Sequence, residues 1–197
     1  MSNPPILRLA SVSPRRRELL AQIGVPHVAT GAHIDESVRP GETPRTYVQR
    51  MARAKAQSVW DRDSSLPVLA ADTTVVLDGV IFGKPADRDD ALRMLGALSG
   101  RTHEVLTAVA LATASGVALS LNESRVTFRE LTAAECAAYW ETGEPRDKAG
   151  AYAVQGFAAV FIESLTGSYS GVMGLPLFET ARLLAAAGLP LWCTMGQ

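Results

Sequence analysis

Short apolar runs alternate with amphipathic stretches along this chain, and proline and glycine fall at the breaks between them. Ile6 to Ala10 is suited to a buried strand, and Pro14, whose ring fixes φ, opens a helix with Ser13 at its N-cap. Leu19, Leu20 and Ile23 keep helical spacing until Gly24 and Pro26 stop it. His27 to Gly41 is mixed and polar, a strand end running into a loop that carries Asp35 and Glu36. Thr43 and Pro44 start a helix reaching about Trp60, with Tyr47, Met51, Ala54 and Ser58 expected on one face. Pro67 to Leu77 is rich in β-branched residues and reads as a strand, turned by Asp78-Gly79 into a hairpin that Gly83-Lys84-Pro85 closes.

Asp87 caps a further helix that ends at Leu98, before Gly100. His103 to Thr113 and Val117 to Phe128 form an antiparallel pair joined at Ser115-Gly116. Thr132 and Glu135 have capping-box spacing for a helix ended at Gly143, after which Pro145 to Gly156 is irregular and glycine-rich. Ala158 to Ser164 is expected as a strand, Gly167 to Gly174 as a loop and Pro176 to Ala187 as a last helix. Hairpins and crossovers in one chain predict an α/β fold, a mixed central sheet flanked by helices, in a single domain over residues 1–197.

Composition narrows the function. The chain has 197 residues, 47% hydrophobic, enough for a substantial core, and its formal net charge of −1 argues against a nucleic-acid polymer as partner while leaving small anions open. Cys136 and Cys193 are too few and too far apart for a metal pair or disulfide framework, which fits a reducing compartment. With no secretory pattern at the start and no apolar run of membrane-spanning length, a soluble cytoplasmic protein is expected, with no membrane partner.

The first turn and helix carry the strongest chemical signal. Ser11, Ser13, Arg15, Arg16 and Arg17 crowd a helix start, whose free N–H groups and dipole favour an anion that forked guanidinium donors can grip. A solvated basic face is the competing reading. Asp72 interrupts an apolar strand, so it is exposed, paired, bound to a cation, or a strand-end residue accepting backbone hydrogen bonds. Lys84 is not in a P-loop, because Gly79 is one residue too close and Pro85 replaces the Ser or Thr, yet a lysine on a stiff turn can still neutralise a phosphate. Lys148 is either a solvated loop charge or part of a glycine-rich surface open to a ligand. His103 reads as a satisfied structural histidine. No zinc-hydrolase or serine-nucleophile motif is present.

Taken in order, Leu9 to Arg16, Arg50 to Ala56, Ala71-Asp72-Thr73 with Gly83-Lys84-Pro85, Ser99 to His103, Asp147 to Tyr152 and Val172 to Pro176 resemble the Maf family of nucleoside triphosphate pyrophosphatases nearly end to end. The resemblance implies a two-lobed fold similar to inosine triphosphate pyrophosphatase, a cleft between the lobes, a homodimer, and a divalent metal, Mg²⁺ or Mn²⁺. It also implies roles. Arg15, Arg16, Lys55 and Lys84 would hold a triphosphate, Ser13 would contact the substrate, Glu36 and Asp72 would hold the metal, and Asp72 is the family's general base. The branch acting on dTTP and UTP carries the residues found here as Arg15, Thr73 and Gln155, and the 7-methyl-GTP branch differs at all three. The expected reaction is hydrolysis of dTTP or UTP to the monophosphate and pyrophosphate. Cleavage of 7-methyl-GTP or another modified nucleotide, and nucleotide binding without turnover in septum formation, are the alternatives. Clearance of non-standard nucleotides and a link to cell-division arrest are further associations of the family.

Overall fold

The computed structural model describes residues 3–193. Within them the chain builds one mixed sheet from β1 (Leu7–Leu9), β2 (His27–Ala29), β3 (Val68–Leu77), β4 (Val80–Phe82), β5 (Thr102–Thr113), β6 (Gly116–Phe128) and β7 (Ile162–Thr166). The order is β2-β1-β3-β5-β6-β7, with β4 paired to β3; β1 is parallel to β2 and β3, and the other pairs are antiparallel. The expected mixed α/β architecture is what forms.

Alternation along the strands gives the sheet two faces. One carries Val68, Ala70 and Val76 of β3 with Leu106, Ala108 and Ala110 of β5, packed under α2 (Pro44–Trp60). The other face is divided. At one end Leu69, Ala71, Val109 and Leu111 pack with α1 (Pro14–Gln22) and with Leu184 of α6 (Leu177–Ala186). At the other end Val75, Leu77, Val105 and Phe128 pack with α3 (Arg88–Leu98) and α4 (Ala133–Glu141). Thr73 and Thr107, paired across β3 and β5, stand between these two cores. Two hydroxyls therefore interrupt the apolar surface where the helical layers part.

Caps and turns explain most boundaries. Thr43 and Asp87 accept N–H bonds from Thr46 and Asp90, and Thr132 with Glu135 forms the predicted capping box. The β3–β4 turn places Asp78 at φ 50° and Gly79 at φ 78°, the two left-handed residues of a type I′ hairpin. Among the described residues no helix is long and apolar enough to cross a membrane.

Three expectations need correction. The buried face of α2 is Val48, Met51, Ala52, Ala56 and Val59, with Tyr47, Ala54 and Ser58 flanking it half-buried, so the predicted stripe is rotated by about one residue. Ala158 to Ser164 is not one strand, because Phe157–Phe161 forms a 3₁₀ helix before β7 begins at Ile162. The first N–H groups of that helix, on Phe157 and Ala158, are accepted by the Glu144 carboxylate, which stabilises a helical start that an apolar run alone does not predict. The stretch read as a loop from Gly167 to Gly174 contains α5 (Tyr169–Met173), capped by Ser168 onto Gly171 N–H at 3.0 Å.

Candidate active site

The site begins as a gap in the sheet. On one edge β3 is paired to β1 only at Val68 and Leu69, and to β4 only from Val75 onward, so its middle has no strand neighbour there. Ala10 N–H bonds Leu69 C=O at 2.7 Å, which fixes the alternation and turns the backbone groups of Ala71 and Thr73 toward the gap. β1 ends beside it and hands the chain to the α1 turn, so the gap lies at the carboxyl end of a parallel strand, a favoured position for ligands in α/β sheets. The resulting cleft measures about 720 Å³.

All the residues to which the resemblance gives a role in the site line this cleft. Ser13, Arg15 and Arg16 come from the α1 turn, Glu36 from the loop after β2, and Lys55 from α2. Asp72 and Thr73 come from β3, Lys84 from beyond the hairpin, and Gln155 from the segment after α4. Arg17 points to solvent, which divides the basic triplet between the two readings offered for it. Ser13 sits at the N-cap of α1, but its hydroxyl makes no capping bond; its N–H donates to Ser11 Oγ at 3.2 Å instead.

Asp72 projects from the α2 face of β3. Its Oδ1 is 2.6 Å from Lys55 Nζ, and the same ammonium lies 2.9 Å from Glu36 Oε1. Lys55 reaches both because it is four residues from Met51 on the inward side of α2, where its stem is buried. Glu36 is held by its neighbours: Tyr47 donates to its carbonyl at 3.1 Å, and Arg50, ion-paired to Glu42 at 2.5 Å, donates to the Ser37 carbonyl at 2.9 Å. The same carboxylates, after burial, raise the Tyr47 phenol to about 12. Burial pushes the Asp72 carboxyl above its ordinary range, and Lys55 and Arg16 oppose that shift without cancelling it.

Arg16 lies on the opposite face and is fixed by the protein at every nitrogen. Nε donates to Gly174 C=O at 2.8 Å, Nη2 to Thr73 Oγ1 at 3.3 Å and Nη1 to Ser11 Oγ at 3.5 Å. Gly174 adopts φ 115°, a left-handed backbone suited to glycine, as it ends α5 and presents that carbonyl. Thr107 Oγ1 lies 2.8 Å from Gly171 C=O and 3.0 Å from Thr73 Oγ1. A carbonyl only accepts, so the single Thr107 proton goes to Gly171 and Thr73 must donate to Thr107. Thr73 thus accepts from Arg16, donates to Thr107, and offers a ligand only a lone pair.

Arg15, Lys84 and Gln155 differ from these. Among the described residues none has a side-chain hydrogen bond or ion pair, so their polar groups are available to a ligand. Lys148, left open by the sequence, also lines the cleft and pairs with Asp147. His103 lies outside it, buried against Phe128 and bonded through Nε2 to Tyr152 Oη at 2.8 Å, with burial lowering its pKa to about 4. It is structural, but satisfied only at Nε2, since its buried Nδ1 has no partner among the described residues.

Sequence reasoning missed Tyr47 and Thr107. Thr107 is fully buried, and its only signal is a hydroxyl where the β5 alternation calls for an apolar residue.

A hard dication such as Mg²⁺ takes oxygen ligands, commonly one or two carboxylates completed by water and phosphate. Among the described residues no group of three or more His, Cys, Asp or Glu could enclose a metal. Asp72 and Glu36 do converge on one ammonium, so two carboxylate oxygens already face a common cationic position. That donor set fits an ion that draws its remaining oxygens from a polyphosphate rather than from a protein cage.

The profile of the family described as "Maf-like protein" matches residues 6–187. The chain belongs to the Maf family. This Maf protein is 53% identical over 197 residues to a dTTP/UTP pyrophosphatase of Bordetella parapertussis, covering 95% of each chain. It is 54% identical to one of Bordetella avium, covering 97% of this chain and 100% of that one, and 52% identical to one of Hahella chejuensis, covering 94% of each. Among solved structures, the Ham1 protein of Staphylococcus aureus overlaps at a TM-score of 0.40 and 13% identity, over 64% of this chain and 72% of that one, too loosely to carry an argument.

Proposed function

We propose that this Maf protein hydrolyses dTTP and UTP to the nucleoside monophosphate and pyrophosphate. One observation carries the reading: the available cations Arg15 and Lys84, the buried carboxylate Asp72 and the free amide Gln155 share one cleft, in a chain about half identical to relatives named for that reaction.

In the proposed reaction a water oxygen forms a bond to the α-phosphorus as the bond to the bridging α–β oxygen breaks. Asp72 takes the water proton at Oδ2, the oxygen not bonded to Lys55, and pyrophosphate leaves with the bridging electrons. A carboxylate pushed upward by burial is better matched to proton transfer near neutrality than an ordinary one. Such transfers need positioning and charge neutralisation rather than a protein nucleophile, so no covalent intermediate is invoked. Arg15 and Lys84 close on phosphate oxygens from opposite walls, Arg16 offers the N–H groups its protein contacts leave over, and Ser13 adds a hydroxyl at the α1 N-terminus. Mg²⁺ or Mn²⁺, held through Glu36 and Asp72, would neutralise charge on the polyphosphate. A carboxylate bound directly to a metal is a poor base, so we give Glu36 the larger share of the cation and Asp72 the proton. Glu36 is the more exposed of the two, its side chain 51% accessible against 9%, and the easier to reach for a hydrated ion.

Gln155 carries both a donor and an acceptor, matching the O4 and N3–H edge of uracil and thymine. Thr73, left with a lone pair, suits a further donor on the ligand. We place the enzyme in the cytoplasm as a homodimer, with light scattering as the check on its size.

The decisive experiment incubates purified protein and Mg²⁺ or Mn²⁺ with a panel of nucleoside triphosphates and assays pyrophosphate and orthophosphate separately. Pyrophosphate with monophosphate, fastest on dTTP and UTP, is expected. Orthophosphate as the first product, preference for 7-methyl-GTP, or binding without turnover would each end this reading.

A further inference from the structure

We infer that Tyr139 and Glu144, neither of which touches the cleft, form a clip that sets the position of Gln155 and so governs the choice of base. This inference rests on Gln155 reading the base, as proposed above.

Gln155 stands at the tip of a tight turn closed by Gly156 N–H onto Ala153 C=O at 3.1 Å. Both shoulders of the turn are gripped, one from the end of α4 and one from the 3₁₀ turn that follows it. On one side Ala153 N–H donates to Tyr139 Oη at 3.2 Å. On the other, Phe157 N–H donates to Glu144 Oε2 at 3.0 Å and Ala158 N–H to Oε1 at 3.3 Å. The Tyr139 hydroxyl, its lone pair engaged by Ala153, donates its one proton to Glu144 Oε1 at 2.7 Å and joins the two grips.

The clip is itself anchored. Tyr139 is buried, its ring edge-on to Phe161 with centroids 5.2 Å apart. Glu144 N–H donates to Thr142 Oγ1 at 3.2 Å, and that hydroxyl donates to Tyr139 C=O at 2.7 Å. Gly156 allows the close approach, since a Cβ there would lie 1.9 Å from Glu144 Oε2. Three bonds to backbone N–H groups, with a fourth joining the two side chains, thus fix the backbone on either side of the residue proposed to read the base. The amide can turn about its own χ angles to meet the uracil or the cytosine pattern at positions 3 and 4, so what the held turn fixes is how far it reaches. Discrimination by size requires that the Gln155 backbone be held in place, because a turn free to shift lets the amide meet a larger purine as readily as a pyrimidine.

The test compares full-length Tyr139→Phe and Glu144→Gln with Gln155→Glu, measuring kcat/KM for dTTP, UTP and GTP. The ratio between substrates does not depend on the folded fraction, so it separates positioning from simple loss of structure. Tyr139→Phe keeps the ring in the core, removes both bonds of the hydroxyl, and is expected to lower the dTTP-to-GTP ratio about threefold to tenfold, the order of a hydrogen bond's net contribution. Glu144→Gln is expected to lower it further and to speed amide hydrogen exchange at Phe157 and Ala158. If Gln155→Glu shifts the ratio while Tyr139→Phe, folded by circular dichroism, leaves it unchanged, the clip is refuted and base reading stands. If Gln155→Glu also leaves the ratio unchanged, base reading itself fails and the inference falls with it.

Discussion

Asp72 and Thr73 are neighbours on one strand, yet the two faces they serve are built on opposite principles. On the α2 face two carboxylates share one ammonium, leaving a formal surplus of negative charge. On the other face a guanidinium is held only by neutral acceptors, the Gly174 carbonyl and the Ser11 and Thr73 hydroxyls, leaving a surplus of positive charge. The period of two in a β-strand places these surfaces on either side of one backbone without a separate element for each. A polyphosphate accompanied by a cation needs both kinds of surface close together. The gap in the sheet makes that possible, because paired neighbours would otherwise cover the middle of β3.

The largest effect expected of any change is at Asp72. Asp72→Asn keeps the shape and removes the proton acceptor, so pyrophosphate release should fall by roughly 10²–10⁴-fold, the usual contribution of a positioned base. Stability should not fall with it. A carboxyl raised above its unfolded value holds its proton more tightly in the folded state, so Asp72 favours folding at low pH and loses that contribution as pH rises through its folded pKa. At neutral pH the ionised group is a liability, and thermal melts of Asp72→Asn should match or exceed those of the parent. A large drop in melting temperature would show that the Lys55 pair is structural. The same shift fixes the acid limb of kcat/KM: it should lie above the ordinary carboxylate range of about 4 and disappear in Asp72→Asn.

The positive face separates into fixed and available cations, and paired substitutions distinguish them. Arg16→Lys loses the fork that spans Gly174 and Thr73, and should reduce kcat/KM by about 10- to 100-fold, with kcat affected as well as KM. Lys84→Ala removes an exposed cation with no partner among the described residues. It should raise KM about tenfold, leave the melting temperature unchanged, and weaken with added salt. Equal behaviour of the two variants would erase the distinction between fixed and available cations.

How much of this was legible beforehand follows the same division. The helix opened by Pro14, the hairpin at Asp78-Gly79 and the capping box at Thr132 are local signals, and they hold. Asp72 was visible because a carboxylate inside an apolar strand is conspicuous. Thr107 was not, since a threonine is at home in any strand and only the register opposite Thr73 shows what it bonds. The 3₁₀ helix at Phe157 was misread for a related reason: the carboxylate that accepts its first N–H groups lies thirteen residues back, beyond the reach of a local pattern. Sequence gave the groups that meet the ligand more readily than those that hold them.

The smallest effect expected concerns that hidden threonine, and it examines the neutral face most closely. Thr107→Val preserves volume and branching but removes the hydroxyl, so Gly171 C=O keeps only the Gly174 N–H at 3.0 Å and Thr73 loses the acceptor of its proton. The Thr73 hydroxyl is then free to turn, and the acceptor it presents to Arg16 is no longer fixed. A loss of about threefold to tenfold in kcat/KM is expected, together with about 0.5–1.5 kcal/mol of stability, the net contribution of a lost hydrogen bond to a carbonyl that keeps its other donor. Stability loss alone does not decide the matter. Thr107→Ser restores the proton chain without the methyl group, so it should recover turnover while remaining slightly less stable than the parent. If Arg16 acts through this chain, Thr107→Val should add little to Arg16→Lys, since both disturb the same guanidinium. Full additivity of the two, or failure of serine to restore turnover, would mean that Thr107 merely fills space between the two cores and that the orientation of Arg16 is set by Gly174 alone.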